Sequence, residues 1–228
     1  MNESSITENI TTTDINEVDR TLHRYAYIIL KRLFDIIGGI VGLLLLIPVT
    51  IILKIAFLIS GDTHPLFFSQ ERIGKNGKTF KLYKYRSMVP NADEILKELL
   101  KDPKIKKQYK KNMKLDNDPR ITKIGSLIRK LSIDELPQLL NVLKGDMSLI
   151  GNRPYLPREK DDMGEYYHNI IKTKPGITGY WQVSGRSNIS FNDRCKLESF
   201  YSQNRGFRLD IKIFFLTFYV VLFSRGAE

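Results

Sequence analysis

Asp134 and Glu135 stand side by side in the stretch Ser132-Ile-Asp-Glu-Leu-Pro-Gln138. Pro137 is best tolerated in the first turn of a helix, so the spacing predicts a helix start close to Asp134. Two structural explanations fit such a start: Asp134 is an N-cap, or Ser132 and Glu135 form a capping box. The chemical explanation is a carboxylate held where free backbone N–H groups and the helix dipole also attract phosphate oxygens. A nucleophilic carboxylate can approach an anionic phosphate only if cations screen the repulsion. Arg129 lies five residues upstream, Lys84 and Arg86 alternate onto one face of a strand, and Arg153 sits in the turn-like segment GDMSLIGNRP. Each cation alone reads as an exposed solubilising charge. Together with the carboxylates they describe a phosphoryl-transfer site that works by positioning and charge neutralisation, normally with a divalent metal. The sequence holds no HExxH, CxxC pair, GxGxxG or Walker loop to support zinc, dinucleotide or P-loop chemistry. Cys195 is the single cysteine, so no internal disulfide forms. None of His23, His64 and His168 is near it in sequence to activate a thiol.

These residues must be positioned by one ordinary domain, because 228 residues do not suffice for two large ones. The formal net charge of +11 favours anionic partners: phosphates, acidic lipid or nucleic acid. Residues 1–24 are polar and predict a mobile tail without the features of a secretory signal peptide. Within the membrane element 25–60, Ile36 to Ile59 is almost wholly apolar and approaches the thickness of a bilayer core. Pro48 interrupts its middle, Lys54 is costly at depth, and both flanks are basic. A re-entrant helix that bends at Pro48 and returns to the cytoplasmic face satisfies all three, and a kinked single span remains the alternative.

Residues 61–228 have the composition of a soluble α/β domain of helices and short strands. Leu66 to Phe68 and Phe80 to Tyr85 read as strands joined through RIGKNGK, with Asn76-Gly77 the turn signal. Asn91 to Lys101 has helical spacing that ends before Pro103. Leu136, Leu139, Leu140 and Leu143 repeat as one helix face up to Gly145. The lysine-rich run KIKKQYKKNMK reads either as a solvated face or as a contact to lipid or phosphate. The Gly-rich segment Lys174 to Arg186 reads as a loop. The apolar run Ile211 to Phe223 is too short to span a bilayer, and reads as an interfacial helix, a helix packed on the membrane segment, or a core helix.

The blocks KRLFDI, PLFFSQERIGKNGKTFKLYKYRSM, IRKLSIDELPQLLNVLKGDMSLIGNRP and KPGITGYWQVSGR, in this order, resemble the bacterial sugar transferase family, from about Lys31 to the C-terminus. These are monotopic polyprenyl-phosphate phosphoglycosyl transferases that begin capsule, exopolysaccharide or lipopolysaccharide assembly. The resemblance implies a catalytic domain on the cytoplasmic face of the bacterial membrane, carried on the re-entrant helix, with amphipathic helices at the interface. It implies that Asp134 attacks the β-phosphate of a UDP-sugar, expels UMP and holds the sugar phosphate until polyprenyl (undecaprenyl) phosphate collects it. Glu135 assists, Asp134 and Glu135 hold Mg²⁺, and Lys84, Arg86, Arg129 and Arg153 contact phosphate. The C-terminal blocks resemble users of UDP-galactose or UDP-glucose. Ile47 stands before Pro48 where several members have serine, and the extra spanning helices of larger members are absent here, as in a minimal form. A non-catalytic basic protein at lipid or RNA explains the charge but leaves the Asp134 block without a reason, so nucleic acid is not an expected partner. The oligomeric state stays open, a homodimer included.

Overall fold

In the computed structural model the backbone is described over residues 3–112, 115–185 and 189–223, and the side chains over 21–109, 115–185 and 189–220. Helix α1 (Glu3–Ile59) includes the polar stretch expected as a tail and continues through Pro48. Its segment Thr21–Ile59 is long and apolar enough to cross a membrane by length and composition. Most of its large apolar side chains, among them Ile29, Leu44, Leu45 and Ile52, are exposed.

One stripe of α1 is buried, against the domain. Gly38, Gly39 and Gly42 face Leu149, Leu143 and Leu139, and a Cβ on any of the three would fall 2.5–2.6 Å from a leucine methyl. The absence of side chains there lets the helix sit close. Further along, Leu46, Leu53 and Phe57 join Leu66, Tyr85 and Ile128 in one apolar cluster. Polar contacts set the register. Arg32 donates to the carbonyls of Val142 and Leu143 at 2.6 and 2.8 Å, and the carboxylate of Asp35 accepts from the Ser148 hydroxyl and the Leu149 N–H.

The domain opens with an antiparallel hairpin, β1 (Phe67–Ile73) and β2 (Thr79–Tyr85), in which Phe68 faces Lys84 and Arg72 faces Phe80. The strands are longer than their apolar runs predict, because the pairing carries the polar segment Ser69–Arg72 along. At the turn Asn76 has φ 59° and Gly77 φ 78°, the left-handed pair that an Asn-Gly signal favours. Helices α2 (Ala92–Leu99), α3 (Pro103–Asn112) and α4 (Lys123–Lys130) follow, and Thr122 caps α4 by accepting from the Gly125 N–H.

The helix expected to start near Asp134 starts later. Ser132 is left-handed (φ 56°), Ile133–Glu135 forms a single 3-10 turn, and α5 (Gln138–Lys144) begins only after Pro137. Pro137 has no N–H to give to a preceding turn, so the α-helical ladder opens behind it. Gly145 closes α5 at φ 90°.

Strand β3 (Ser148–Ile150) pairs in parallel with β4 (Gly176–Thr178), with α6 (Tyr167–Ile170) between them. Then come α7 (Tyr180–Ser184), α8 (Phe191–Asn204) and α9 (Phe207–Phe223). Of the three readings of the C-terminal run, packing on the membrane segment is the one observed. Tyr27 and Phe34 meet Phe207 and Phe214 edge to face, and the Asp210 carboxylate accepts from Tyr27 and Lys31 of α1 and from Tyr201 of α8. The opposite face of α9 leaves Ile211, Phe215 and Phe218 exposed. Arg186, the end of the lysine-rich run at 113–114 and Arg225 lie outside the described residues.

Candidate active site

Asp134 is buried, at 7% exposure. No side chain caps the 3-10 turn or α5, so neither the N-cap nor the capping-box explanation describes what this carboxylate does. Its side-chain partner is Lys84, whose Nζ lies 3.4 Å from Asp134 Oδ2 and 2.8 Å from Glu135 Oε1. The strand carrying Lys84 is held against α5 by the buried amide of Asn141. Its Oδ1 accepts from the Tyr83 N–H, and its Nδ2 donates to the Lys81 carbonyl. One α5 side chain thereby completes the β2 edge and sets the ammonium beside the two carboxylates.

The carboxylates differ electrostatically. Burial pushes Asp134 above the usual carboxylate range, and the neighbouring Glu135 charge adds to this against the pull of Lys84 and Arg129. Burial also acts on Glu135, but the charge and hydrogen bond of Lys84, with Arg153 and Arg72 behind them, outweigh it and hold Glu135 low. The site therefore holds one firmly ionised carboxylate and one whose charge is poorly compensated.

Glu135 and Lys84 open into a cleft lined further by Arg72, Gln138, Arg153 and Trp181. Of the cations singled out in the sequence, Lys84 and Arg153 reach this cleft. Arg129 lies near Asp134 and donates through Nε to the Ser87 hydroxyl at 2.8 Å. Arg86 is not brought to the cleft. It sits one residue beyond β2 and donates to the Pro65 carbonyl and the Asp62 carboxylate, with its guanidinium over the Phe57 ring. There it ties the end of α1 to the hairpin. Pro48 lies within α1, away from the cleft lining.

Cys195 is buried, and burial pushes its thiol up to about 11, which leaves no reactive thiolate at neutral pH. Sequence reasoning missed Arg72 and Trp181 of the cleft lining, Asn141 behind Lys84, and Arg194, whose guanidinium carbon lies 4.5 Å from the Trp181 ring centroid. A signal for Arg194 existed: Arg194, Cys195, Glu198, Tyr201 and Ser202 share the buried face of α8, so two charged residues occupy core positions of one helix.

Among the described residues no group of three or more His, Cys, Asp or Glu side chains gathers to hold a metal. The two adjacent carboxylates nevertheless suit Mg²⁺, which commonly takes one or two carboxylates and completes its shell with water and substrate phosphate.

Residues 26–224 match the family model described as bacterial sugar transferase. The chain is 46% identical over 199 residues to an undecaprenyl-phosphate galactose phosphotransferase of Salmonella typhimurium, covering 87% of this chain and 41% of that protein. It is 44% identical over 212 residues to an uncharacterized sugar transferase of Haemophilus influenzae, covering 92% and 45%. It spans less than half the length of these relatives. With the exopolysaccharide production protein ExoY of Sinorhizobium fredii it shares 40% identity over 201 residues, covering 86% of this chain and 87% of that one. A family match across the whole described domain, the Asp134 block included, shows that this chain belongs to the bacterial sugar transferase family.

Proposed function

We propose that the chain transfers a hexose 1-phosphate from a UDP-sugar to polyprenyl (undecaprenyl) phosphate, with release of UMP, as the first membrane step of a surface polysaccharide. The observation that carries this reading is the buried Asp134 carboxylate, which caps no helix, has the Lys84 ammonium 3.4 Å away and feels the charge of Arg129, beside a cationic cleft. An Asp134 oxygen attacks the β-phosphorus. The bond from that phosphorus to the bridging oxygen breaks, and UMP leaves with the electron pair. A phosphate oxygen of the lipid then attacks the same phosphorus, which releases the carboxylate and forms the polyprenyl diphosphosugar. Lys84 neutralises charge on the transferred phosphoryl group, and Glu135 holds Lys84 in place. Asp134 and Glu135 would hold Mg²⁺, which when bound neutralises the diphosphate. Relatives named for galactose and for glucose phosphotransfer point to UDP-galactose or UDP-glucose as donor. The reaction takes place on the cytoplasmic face of the bacterial membrane, with α1 bent at Pro48 and the amphipathic helices at the interface.

The test is UMP release by purified protein given a panel of UDP-sugars, Mg²⁺ and polyprenyl phosphate. Turnover is expected with a UDP-hexose, to vanish in EDTA and to return with Mg²⁺. Without the lipid, the protein should gain the mass of one sugar phosphate on Asp134. An adduct mapped to another residue, or near-normal turnover by Asp134→Asn, would refute the assignment.

A further inference from the structure

Glu198 is a buried carboxylate that attack by Asp134 does not use. It sits on the inner face of α8 at 1% exposure, and among the described residues it pairs with no cation within 4 Å. One of its oxygens accepts from the Arg153 backbone N–H at 2.6 Å, and the other is buried without a hydrogen-bond partner. Burying an ionisable group with half its acceptor capacity unmet is unfavourable, and a leucine would fill the same core position without that penalty.

The segment that Glu198 touches has few other anchors. Pairing along β3 and β4 ends at the bridge between Asn152 and Pro175. Pro154 has no N–H and restricts the backbone of the residue before it, so the Arg153 N–H is the one main-chain donor between Asn152 and Tyr155. One turn further along α8 the Ser202 hydroxyl accepts from the Asn152 side-chain amide at 2.6 Å, so a single helix face grips both residues. The Arg153 side chain then enters the cleft beside Glu135 and Lys84, where its charge joins that of Lys84 in holding Glu135 ionised. Its Nε is buried without a partner, its guanidinium carbon lies 5.7 Å from the Trp181 ring centroid, and among the described residues its side chain makes no hydrogen bond. Nothing but the backbone anchor and the indole ring directs it.

We propose that Glu198 is a positioning residue for the reaction: its carboxylate oxygen, as acceptor for the Arg153 N–H, aims the Arg153 guanidinium into the cleft. The proposal rests on the transfer reading above, in which Arg153 is a cation of the cleft, and gives a role to a residue outside the cleft lining. The role requires reach rather than charge. Glutamine keeps the length and an acceptor oxygen, aspartate keeps the charge but is one methylene short, and leucine keeps the volume without an acceptor.

Calorimetric titration of the full chain in detergent with UDP and Mg²⁺ reads this aim without turnover, and UMP release from a UDP-hexose reads it in the reaction. Glu198→Gln should stay within about threefold of wild type in both, whereas Glu198→Asp and Glu198→Leu should each weaken UDP binding and raise the KM for the UDP-hexose by about tenfold. A double-mutant cycle separates aim from general packing: in an Arg153→Gln background, Glu198→Asp should weaken UDP binding no further. UDP affinity of Glu198→Asp within about twofold of wild type, a loss in Glu198→Gln as large as in Glu198→Asp, additive losses in the cycle, or no UDP binding by wild-type protein would overturn the proposal. If Glu198→Leu does not fold, Glu198→Asp decides, with its thermal midpoint measured beside the titration. Wild-type protein that binds UDP but releases no UMP would end the transfer reading and leave the cycle of UDP affinities to decide the role of Glu198.

Discussion

Asp134 costs the fold something that a capping residue would not. Burial raises its pKa in the folded chain above the unfolded value. The stability linked to it is therefore complete below the unfolded value and is lost as pH rises through the folded one, so at neutral pH the ionised carboxylate weighs against folding. Asp134→Asn should leave the thermal midpoint unchanged or higher while turnover falls by orders of magnitude, and calorimetry paired with UMP release would show it. A lower midpoint would mean that the carboxylate supports the fold. Glu198 offers a second pH test. It is 1% exposed, and burial pushes it up to about 7 against the Arg153 N–H and the nearby arginines. By the same sign rule, wild-type stability should drop as pH rises from about 4.5 to about 7 and level off above it, and the drop should be smaller in Glu198→Gln. Parallel melts from about pH 4 to 8 would measure the difference, and identical slopes would show that Glu198 does not titrate there.

At the scale of elements, the contact between α1 and α5 links the membrane segment to the site. Arg32 closes the C-terminal end of α5 with two charge-assisted hydrogen bonds, and the same short helix begins just after the Asp134 turn and carries Asn141. Gly39 sets how near α1 comes, since a Cβ there would lie 2.6 Å from Leu143 Cδ2 and 3.0 Å from its Cγ. A single methyl can be accommodated by a leucine rotation, whereas a branched side chain must push the helices apart. Gly39→Val is therefore expected to destabilise the protein by about 1–3 kcal/mol. Denaturation in detergent would detect this, and Gly39→Ala, which adds only the methyl that a leucine rotation accommodates, should lose much less.

Across the whole molecule, exposed apolar side chains line α1 and continue onto one face of α9, where Phe215 is 67% exposed. Contiguous apolar surface of this kind marks contact with lipid or with another protein. A helix bent at Pro48 would keep both ends of the segment on one side of the membrane, and a straight span would not. Single cysteines placed near Arg24 and near Asp62, in a Cys195→Ala background, should both react with an impermeant thiol reagent from the cytoplasmic face. Labelling from opposite faces would reject the re-entrant arrangement.

Local chemistry made the long apolar helix, the hairpin turn and the end of α5 legible in the sequence. A run of apolar residues, an Asn-Gly pair and a glycine after a periodic leucine face each act over a few neighbours, and all three are found where the residues announce them. Residue type and order singled out Asp134, Glu135, Lys84 and Arg153, but that the Lys84 ammonium lies 3.4 Å from Asp134 and 2.8 Å from Glu135 was decided only by the fold. Arg86 shows the limit. Strand alternation put it beside Lys84, but β2 ends at Tyr85, and the Asp62 carboxylate and Phe57 ring captured its guanidinium. The convergence of Arg153 and Arg194 on Trp181, beside a cleft that Arg72 also lines, was decided only in three dimensions. Those residues are far apart in the chain, and packing of the segment after β3 and α8 against one indole ring is what brings Arg153 and Arg194 together.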